Sequence, residues 1–215
     1  MVEIEYLDID VSKIIKLQKA HDNLPRGILS LSQISKILSS PDINTPMGLR
    51  NKTILEVLYC TGIRNFELRN LKMKHVDTTR CEIYIDHGKG GQSRIVPTGK
   101  ICADFIEQYI TKSRPYLIRF NPDQDNLFVT HNGKNLTGNN ISAIVKNICK
   151  KVGIKENITP HSLRHTYATH LLRNKAPLRH IQTLLGHKTI LSTQVYTRVE
   201  ISDLQKIHQK CHPRA

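Results

Sequence analysis

Apolar residues recur every three or four positions along most of the chain, a spacing typical of amphipathic helices. Ser30 and Gln33 fit a capping box that opens the first of these helices, and residues 41–48 are predicted to form a loop. The next helix is predicted to end at Gly62, with a buried face that contains Ile54, Leu55, Leu58 and Tyr59. A short helix is then expected from about Arg64, with an apolar face formed by Phe66, Leu68 and Leu71.

The hydrophobic period changes between residues 81 and 97, where apolar and polar positions alternate. Two alternating segments, CEIYID (81–86) and SRIVP (93–97), flank the turn HGKGG. This pattern predicts a β-hairpin with a glycine-rich turn. A further short strand is predicted for LFVT (127–130), and a loop for 131–138.

Helical periodicity returns after the hairpin. Helices are predicted over about 100–113, 177–186 and 202–209, and around the apolar residues Ile141, Ile144, Val145 and Ile148. Thr159 is predicted to cap the helix that Pro160 begins. Together these elements predict an α+β fold that is mainly α-helical and contains one small antiparallel sheet.

The charge of the chain is strongly positive and unevenly distributed. The formal net charge is +14, from 32 Lys and Arg residues against 18 Asp and Glu residues. Residues 1–50 are balanced, whereas residues 51–150 carry a net charge of +6 and residues 151–215 a net charge of +8. A basic face of this size suits a polyanion, so the charge favours nucleic acid as the partner.

Composition also narrows the class of protein. Hydrophobic residues make up 39% of the chain, enough for a core, and no apolar run approaches the roughly 20 residues of a membrane span. The acidic start of the chain lacks the basic region of a secretory signal. The five cysteines are scattered without a paired motif, which is typical of reduced thiols. We therefore expect a cytoplasmic protein with no membrane partner.

The stretch HSLRHTYATHLL (161–172) places His161, Arg164 and His165 in the first turn of a predicted helix. The two histidines have metal-ligand spacing, but residue 162 is serine rather than glutamate, and no acidic residue lies between 157 and 199. A metal site is therefore not favoured. A helix N-terminus with an arginine suits phosphate, and a solvated polar turn is the alternative that remains open.

Four other residues could join such a site, and each also has a purely structural interpretation. Arg64 follows a glycine turn and could instead pair with Glu67. Lys89 lies between glycines and could be a solvated turn residue. His187 follows Gly186 and could cap a helix, and Tyr196 could be a packed aromatic residue.

The motifs TGIRNFEL, GKGGQSR, HSLRHTYATHLL and LLGHKTILSTQVYT, in this order and spacing, resemble those of the tyrosine recombinase (phage integrase) family. The likeness is strongest to the Xer-type and integron-type members, includes the ending HPRA, and covers about 29–215. It implies the catalytic fold of that family, with its small antiparallel sheet.

The resemblance also implies a role for each site residue. Arg64 and Arg164 would clamp the scissile phosphate, His161 would act as base, Lys89 as acid, and Tyr196 as nucleophile. His187 would complete the catalytic set, and Glu67 would support Arg64, whereas His165 and Thr166 match positions that pack or support. The residues expected to contact DNA are Lys89, Arg94, Arg64 and Arg164. No metal ion or other cofactor is implied.

The implied reaction is site-specific recombination of duplex DNA through a 3′-phosphotyrosyl intermediate, without metal or ATP. Its biological outcome would be integration or excision of a mobile element, or resolution of joined molecules. The resemblance implies that the last helix docks on a neighbouring protomer, which gives a tetramer on DNA, and that the protein associates with the nucleoid. A type IB topoisomerase and a DNA-binding remnant that no longer cuts are the alternatives.

The chain departs from the family at its start. Residues 1–29 match only the final helix and linker of the separate N-terminal DNA-binding domain that most members carry, and 30–215 match the catalytic domain. Three explanations stay open at this point: a short natural recombinase, a truncated gene or fragment, or an accessory protein that supplies the missing half.

Overall fold

The structure, a computed structural model, describes residues 28–86, 93–186 and 198–214. Three predicted site residues, Lys89, His187 and Tyr196, lie outside these ranges, as do the hairpin turn and the first 27 residues of the N-terminal segment. The described residues confirm a mainly helical fold with a small antiparallel sheet. Within these ranges, no helix is both long enough and apolar enough to cross a membrane.

The helices and strands of the described residues occur in the following order along the chain. The first half contains α1 (Leu31–Ser39), α2 (Pro46–Thr61), α3 (Asn65–Arg69), a short 3-10 helix (Met73–His75), β1 (Val76–Asp77), β2 (Glu82–Ile85) and β3 (Arg94–Pro97). The second half contains α4 (Lys100–Gln108), a π-helical turn (Tyr109–Ser113), α5 (Arg114–Leu117), α6 (Gly138–Lys151), α7 (Pro160–Arg173), α8 (Leu178–Leu185) and α9 (Arg198–Cys211).

Helix α2 forms the centre of the hydrophobic core. Every residue from Lys52 to Thr61 is buried, and the helix packs against α1, α4 and α7. The polar residues on it have partners: Lys52 Nζ donates to Leu38 O at 2.7 Å and lies 2.8 Å from Glu56 Oε1. A buried charge is tolerated only when it is paired in this way.

Helix α2 ends at Gly62, as predicted, because this residue adopts a left-handed conformation that other residues avoid. Gly62 has φ 60°, and its N–H donates to Leu58 O at 3.1 Å. A β-carbon at this position would overlap the ring of Tyr167, which lies on α7. The close approach of α2 and α7 therefore depends on glycine at position 62.

The sheet is antiparallel in the order β1-β2-β3, and the predicted hairpin strands are confirmed. Ile83 faces Val96 across the β2–β3 pair, and both side chains are buried. Tyr84 alternates to the outer face and is exposed. Strand β1 was not predicted, because its two residues are too few to show alternation.

The predicted strand at 127–130 is wrong. Leu127 N donates to Leu71 O at 2.7 Å, but the backbone bends at Leu127 and Phe128, and an isolated bridge between Val129 and Asn135 takes the place of a ladder. Leu127, Phe128 and Val129 are all buried. A short apolar run of this kind indicates burial and does not by itself distinguish a strand from a buried segment of irregular backbone.

Two further predictions in the first half need correction. Helix α2 begins at Pro46, inside the predicted loop 41–48, because the Thr45 side chain caps its first turn. Phe66 is 53% exposed, with the Arg69 guanidinium 4.7 Å above its ring, and does not belong to the apolar face predicted for α3.

The predictions for the later helices agree more closely with the structure. The helix predicted over 100–113 spans α4 and the π-helical turn, then continues through α5, where Pro115 lacks the N–H of a regular helix. Thr159 caps α7, α8 matches the predicted 177–186 within one residue at each end, and α6 contains the four apolar residues around which a helix was predicted. These boundaries were predictable because caps act over one turn.

Helix α9 is longer than the predicted 202–209 and packs on the core of its own chain. It contacts α7, α8 and β3. His208 Nε2 donates to Cys60 O at 2.7 Å, and the rings of His208 and His212 stack with centroids 4.8 Å apart. Arg214 pairs with the fully buried Glu56 at 2.5 Å. The end of the chain is thus attached to α2 by imidazoles and one ion pair.

We expect Gly62→Ala to lower the free energy of unfolding by roughly 2–4 kcal/mol, from left-handed strain plus overlap with Tyr167. Gly153→Ala is a matched control, because Gly153 has φ 78° but open space around its α-carbon. It should cost only about 1–2 kcal/mol. Urea denaturation measures both, and equal losses would contradict the close approach of α2 and α7.

We also expect stability to fall as the pH is lowered from about 6.5 to 5.5. Burial lowers the pKa of His208, and burial followed by the charge of His208 lowers that of His212, so the unfolded state binds more protons. The stability that the neutral rings confer is therefore complete above about pH 6.5 and is lost below it, by up to about 1 kcal/mol per pH unit per ring.

Thermal unfolding at several pH values measures this slope. His212→Phe keeps an aromatic ring but removes one titrating group, so its slope should be shallower than that of the wild type. The exposed His131→Gln is the control and should keep the wild-type slope. A wild-type slope in His212→Phe would contradict the assignment.

Candidate active site

The first turn of α7 is held rigid by its cap and by its apolar stripe. Thr159 Oγ1 accepts a hydrogen bond from Ser162 N at 3.3 Å, and Pro160 occupies the first helical position. The stripe that anchors the helix in the core consists of Leu163, Tyr167 and Leu171, all buried. The polar residues of this turn therefore project from a fixed backbone.

Arg164 lies within this turn and is 7% exposed. Its Nη1 donates to Gly62 O at 2.6 Å, and its Nη2 donates to Leu185 O at 2.7 Å. Burial, followed by the charge of Arg64, lowers the pKa of Arg164 to about 10. Arg164 is consequently still a cation at neutral pH and joins the end of α2 to the end of α8.

Arg64 precedes α3 and lies on the same carbonyl-rich edge. Its Nη2 donates to Gly186 O at 2.9 Å, and its Nη1 donates to Glu67 Oε1 at 2.9 Å. The backbone N–H of Arg64 donates to Glu67 Oε2 at 2.7 Å. Its side chain is still 26% exposed. Pairing with Glu67, the structural interpretation left open above, therefore coexists with an accessible guanidinium.

Glu67 is shared between two arginines. Arg94 Nη1 and Nη2 donate to Glu67 Oε1 and Oε2 at 2.8 and 2.9 Å, beside the bonds from Arg64. Burial alone would raise the pKa of Glu67, but the hydrogen bonds and charge of Arg94, with those of Arg64, lower it to about 2. Glu67 therefore stays ionised at neutral pH. A carboxylate that supports Arg64 by accepting its hydrogen bonds has to be in this state.

Arg94 is 4% exposed, and its Nε donates to Leu184 O at 3.1 Å. Its placement behind the site surface does not support the predicted contact with DNA. The sequence contained a signal for this position, because strand alternation places Arg94 on the same face as the buried Val96. The DNA contact was predicted instead from the positive charge of Arg94.

His161 and His165 contact each other on the exposed side of α7. Their Nε2 atoms are 2.9 Å apart, and the rings meet edge to face. Partial burial, with the charges of His165 and Arg164, lowers the pKa of His161, which favours a neutral ring at neutral pH. Within the described ranges, no group of three or more His, Cys, Asp or Glu side chains is arranged to hold a metal ion.

The structure thus brings together five of the predicted site residues: Arg64, Glu67, Arg94, His161 and Arg164. The segments that carry the other three begin at this site. The hairpin turn with Lys89 connects β2 to β3, and His187 follows Gly186 directly in the chain. Together the described groups form a cationic edge with one ionised carboxylate behind it, which suits a phosphate group.

Comparisons with known proteins agree with this chemistry. A family model described as the phage integrase family matches residues 28–202. The tyrosine recombinase XerD of Listeria innocua serovar 6a is 44% identical over 201 residues, which are 94% of this chain and 67% of that protein. The XerD protein of Oceanobacillus iheyensis is 41% identical over 206 residues, 96% of this chain and 68% of the relative.

Among solved structures, the crystal structure of the XerA recombinase has a TM-score of 0.69 and 33% sequence identity, covering 90% of this chain and 67% of that one. The chain therefore spans about two-thirds of the length of these relatives. The family match covers most of the chain, and the identities are well above 30%. This chain belongs to the phage integrase family and is a tyrosine recombinase, a site-specific DNA recombinase.

Proposed function

We propose that this recombinase cleaves duplex DNA by attack of Tyr196 on the scissile phosphate, held by Arg64 and Arg164. The observation that carries the proposal is the convergence of these two guanidinium groups on the adjacent carbonyls of Leu185 and Gly186. Each guanidinium has five N–H donors, and the described side-chain bonds use two on each. The remaining donors are those we assign to the non-bridging phosphate oxygens.

The bond changes balance without a metal ion or a nucleotide. The Tyr196 oxygen forms a bond to phosphorus, the bond to the 5′ oxygen breaks, and a 3′-phosphotyrosyl linkage remains. The 5′ hydroxyl of a partner strand then reverses the step. Arginine side chains stabilise the negative charge of the transition state, and the pKa of Arg164, about 10, keeps that residue charged at neutral pH.

Two proton transfers accompany the cleavage. We assign His161 as the base that accepts the proton of Tyr196, since its lowered pKa favours the neutral form. We assign Lys89 as the acid that protonates the leaving 5′ oxygen, and His187 as a further donor to the phosphate. These roles rest on the family motif, because Lys89, His187 and Tyr196 lie outside the described residues.

We propose residues 30–215 as the catalytic unit and duplex DNA as its partner. The charge supports this division, since the excess of basic residues lies beyond residue 50. The chain enters the unit at Leu29, whose N–H donates to Thr166 Oγ1 at 3.1 Å and whose carbonyl accepts from His170 Nε2 at 3.0 Å. Residues 1–29 would then connect this unit to further DNA contacts, whether from the same chain or an accessory protein, in the nucleoid.

We further propose that four protomers assemble on DNA by exchange of α9. In the described structure α9 and the residues just after it dock on their own chain through His208, which bonds to Cys60 O, and Arg214, which pairs with Glu56. A neighbouring protomer presents the same carbonyl and carboxylate, so the same contacts can form between chains. Exchange would thus replace each contact with an identical one at little cost in free energy.

Tyr196→Phe should abolish the covalent protein–DNA adduct while leaving the Kd for DNA within about threefold, because only the nucleophilic oxygen is lost. The adduct is measured on denaturing gels after incubation with sheared genomic DNA or a nicked suicide substrate. Tyr116→Phe removes the hydroxyl of another tyrosine, one that is exposed in the structure; it is the control and should retain the adduct. An adduct in Tyr196→Phe would exclude this nucleophile. Binding by the wild type without any adduct would favour the non-cutting remnant.

Arg214→Ala should reduce recombination of two DNA sites about tenfold or more, while first-strand cleavage of a suicide substrate changes less than threefold. The physical reason is that Glu56 loses a buried ion-pair partner in every docked copy of α9. Arg173→Ala, an exposed arginine on α7, is the control. Unchanged recombination by Arg214→Ala would contradict the exchange.

A further inference from the structure

We propose that Arg94 is a positioning residue that gives Arg64, the strand ends that flank the Lys89 turn in sequence, and the end of α8 that precedes His187 one common anchor. The inference rests on the reaction proposed above, since its main readout is DNA cleavage. It assigns to Arg94 a function different from the DNA contact expected from its charge. The argument depends on three sets of contacts, described in turn.

The first set joins Arg94 to Arg64 through Glu67. Glu67 Oε1 accepts from Arg94 Nη1 at 2.8 Å and from Arg64 Nη1 at 2.9 Å. Glu67 Oε2 accepts from Arg94 Nη2 at 2.9 Å and from the Arg64 backbone N–H at 2.7 Å. Each carboxylate oxygen thus holds one donor from each arginine, so a displacement of Arg94 moves the group that orients Arg64.

The second set fixes the end of α8. The carbonyls of Leu184, Leu185 and Gly186 accept in order from Arg94 Nε, Arg164 Nη2 and Arg64 Nη2, at 3.1, 2.7 and 2.9 Å. These carbonyls belong to the helix end, where unpaired acceptors carry partial negative charge that favours cations. The three arginines thus fix the end of α8 up to Gly186, the residue that precedes His187 in the sequence.

Close packing at Gly186 supports the same placement. Gly186 has φ 64°, and a β-carbon there would lie 3.1 Å from the Arg94 guanidinium carbon. This contact is closer than ordinary van der Waals packing, so the guanidinium lies directly against the glycine. The left-handed conformation and the close approach both require glycine at the position before His187.

The third set closes the base of the hairpin. Arg94 begins β3 and pairs with Ile85, the last residue of β2. One residue nearer the turn, Ser93 Oγ donates to Asp86 Oδ1 at 3.3 Å. The turn that carries Lys89 therefore starts from two strand ends, one of which is attached through Arg94 to Glu67 and α8.

Lysine cannot reproduce this anchor. The planar guanidinium sends two parallel N–H bonds to Glu67 and a third bond, from Nε, to Leu184 O. An ammonium group on a single stem cannot direct donors in both of these directions from one position. Arg94→Lys keeps the charge and loses the geometry, so it separates an electrostatic role of Arg94 from a positioning role.

The test is single-turnover cleavage of nicked suicide substrates by Arg94→Lys, with either a 5′-oxygen or a 5′-sulfur leaving group. A thiolate leaves without protonation, so the sulfur substrate does not require the acid Lys89. We expect about a 100-fold loss with oxygen and only about a tenfold loss with sulfur, because a misplaced acid and a misplaced clamp each reduce the rate. The Kd for DNA should stay within threefold.

Two results would overturn the proposal. Equal losses on the two substrates would exclude coupling to the hairpin lysine. A weaker Kd with unchanged cleavage at saturating DNA would make Arg94 a DNA contact. The exposed Arg80→Lys is the matched control, since it lies outside the cluster, and it should cleave both substrates at the wild-type rate.

A double-mutant cycle covers the case in which Arg94→Lys does not fold. Arg94→Met combined with Glu67→Met removes both buried charges, so neither charge is left without its partner. If Arg94 acts on Arg64 through Glu67, the double variant should cleave no more slowly than Glu67→Met alone, whereas independent effects would multiply. Multiplied losses would overturn the coupling of Arg94 to Arg64 through Glu67.

A final measurement is independent of catalysis. The pKa of Glu67, about 2 in the wild type, can be followed by carbon NMR of the labelled carboxyl group in the absence of DNA. It should rise in Arg94→Lys, because the two directed hydrogen bonds from Arg94 are lost. A rise without any cleavage by the wild type would reject the proposed reaction and retain the anchor, whereas an unchanged pKa would reject the anchor.

Discussion

The structure depends on hydrogen bonds from three buried or half-buried arginines to the end of α8. These arginines are Arg64, Arg94 and Arg164. Guanidinium groups in a protein interior are unfavourable unless oxygens surround them. Here Leu184, Leu185 and Gly186 supply three carbonyls in succession, and Glu67 supplies the only carboxylate in the described contacts of these arginines. Elements distant in sequence, α2, α3, β3, α7 and α8, meet at this point, so the proposed phosphate-binding edge and the folded core share one set of interactions.

Helix α7 connects the site to the core, because one side of the helix bonds to groups at the site and the other side bonds to groups in the core. Toward the site, Arg164 bonds to the ends of α2 and α8. On the other side, His170 bonds through Nδ1 to Tyr59 on α2 and through Nε2 to the Leu29 carbonyl. Leu29, near the start of the described chain, is thus attached to the same helix as Arg164, within two turns of it.

Anchored residues flank, in sequence, the segment that contains Tyr196, the proposed nucleophile. Before it, Gly186 is held by Arg64 and packs against Arg94. After it, α9 docks through His208, which bonds to the carbonyl of Cys60 on α2. Both anchors are hydrogen bonds between charged or aromatic side chains and backbone carbonyls. Such contacts are specific in direction but depend on protonation, which links the docking of α9 to the neutral state of its imidazoles.

The sequence by itself determined the elements whose causes are local. The Ser30 and Thr159 caps, the left-handed glycines 62 and 186, and the hairpin alternation act over a few residues, and the motif order was enough to assign the family. Tertiary structure alone decided that Arg94 faces Glu67, that 127–130 forms no ladder, and that α9 packs on its own chain in the described state. The sequence shows that Arg94 is charged, but not whether it contacts DNA or a buried carboxylate. Its partner Glu67 is 27 residues away, and hydrophobic periodicity over a few residues gives no information about a contact at that distance in sequence.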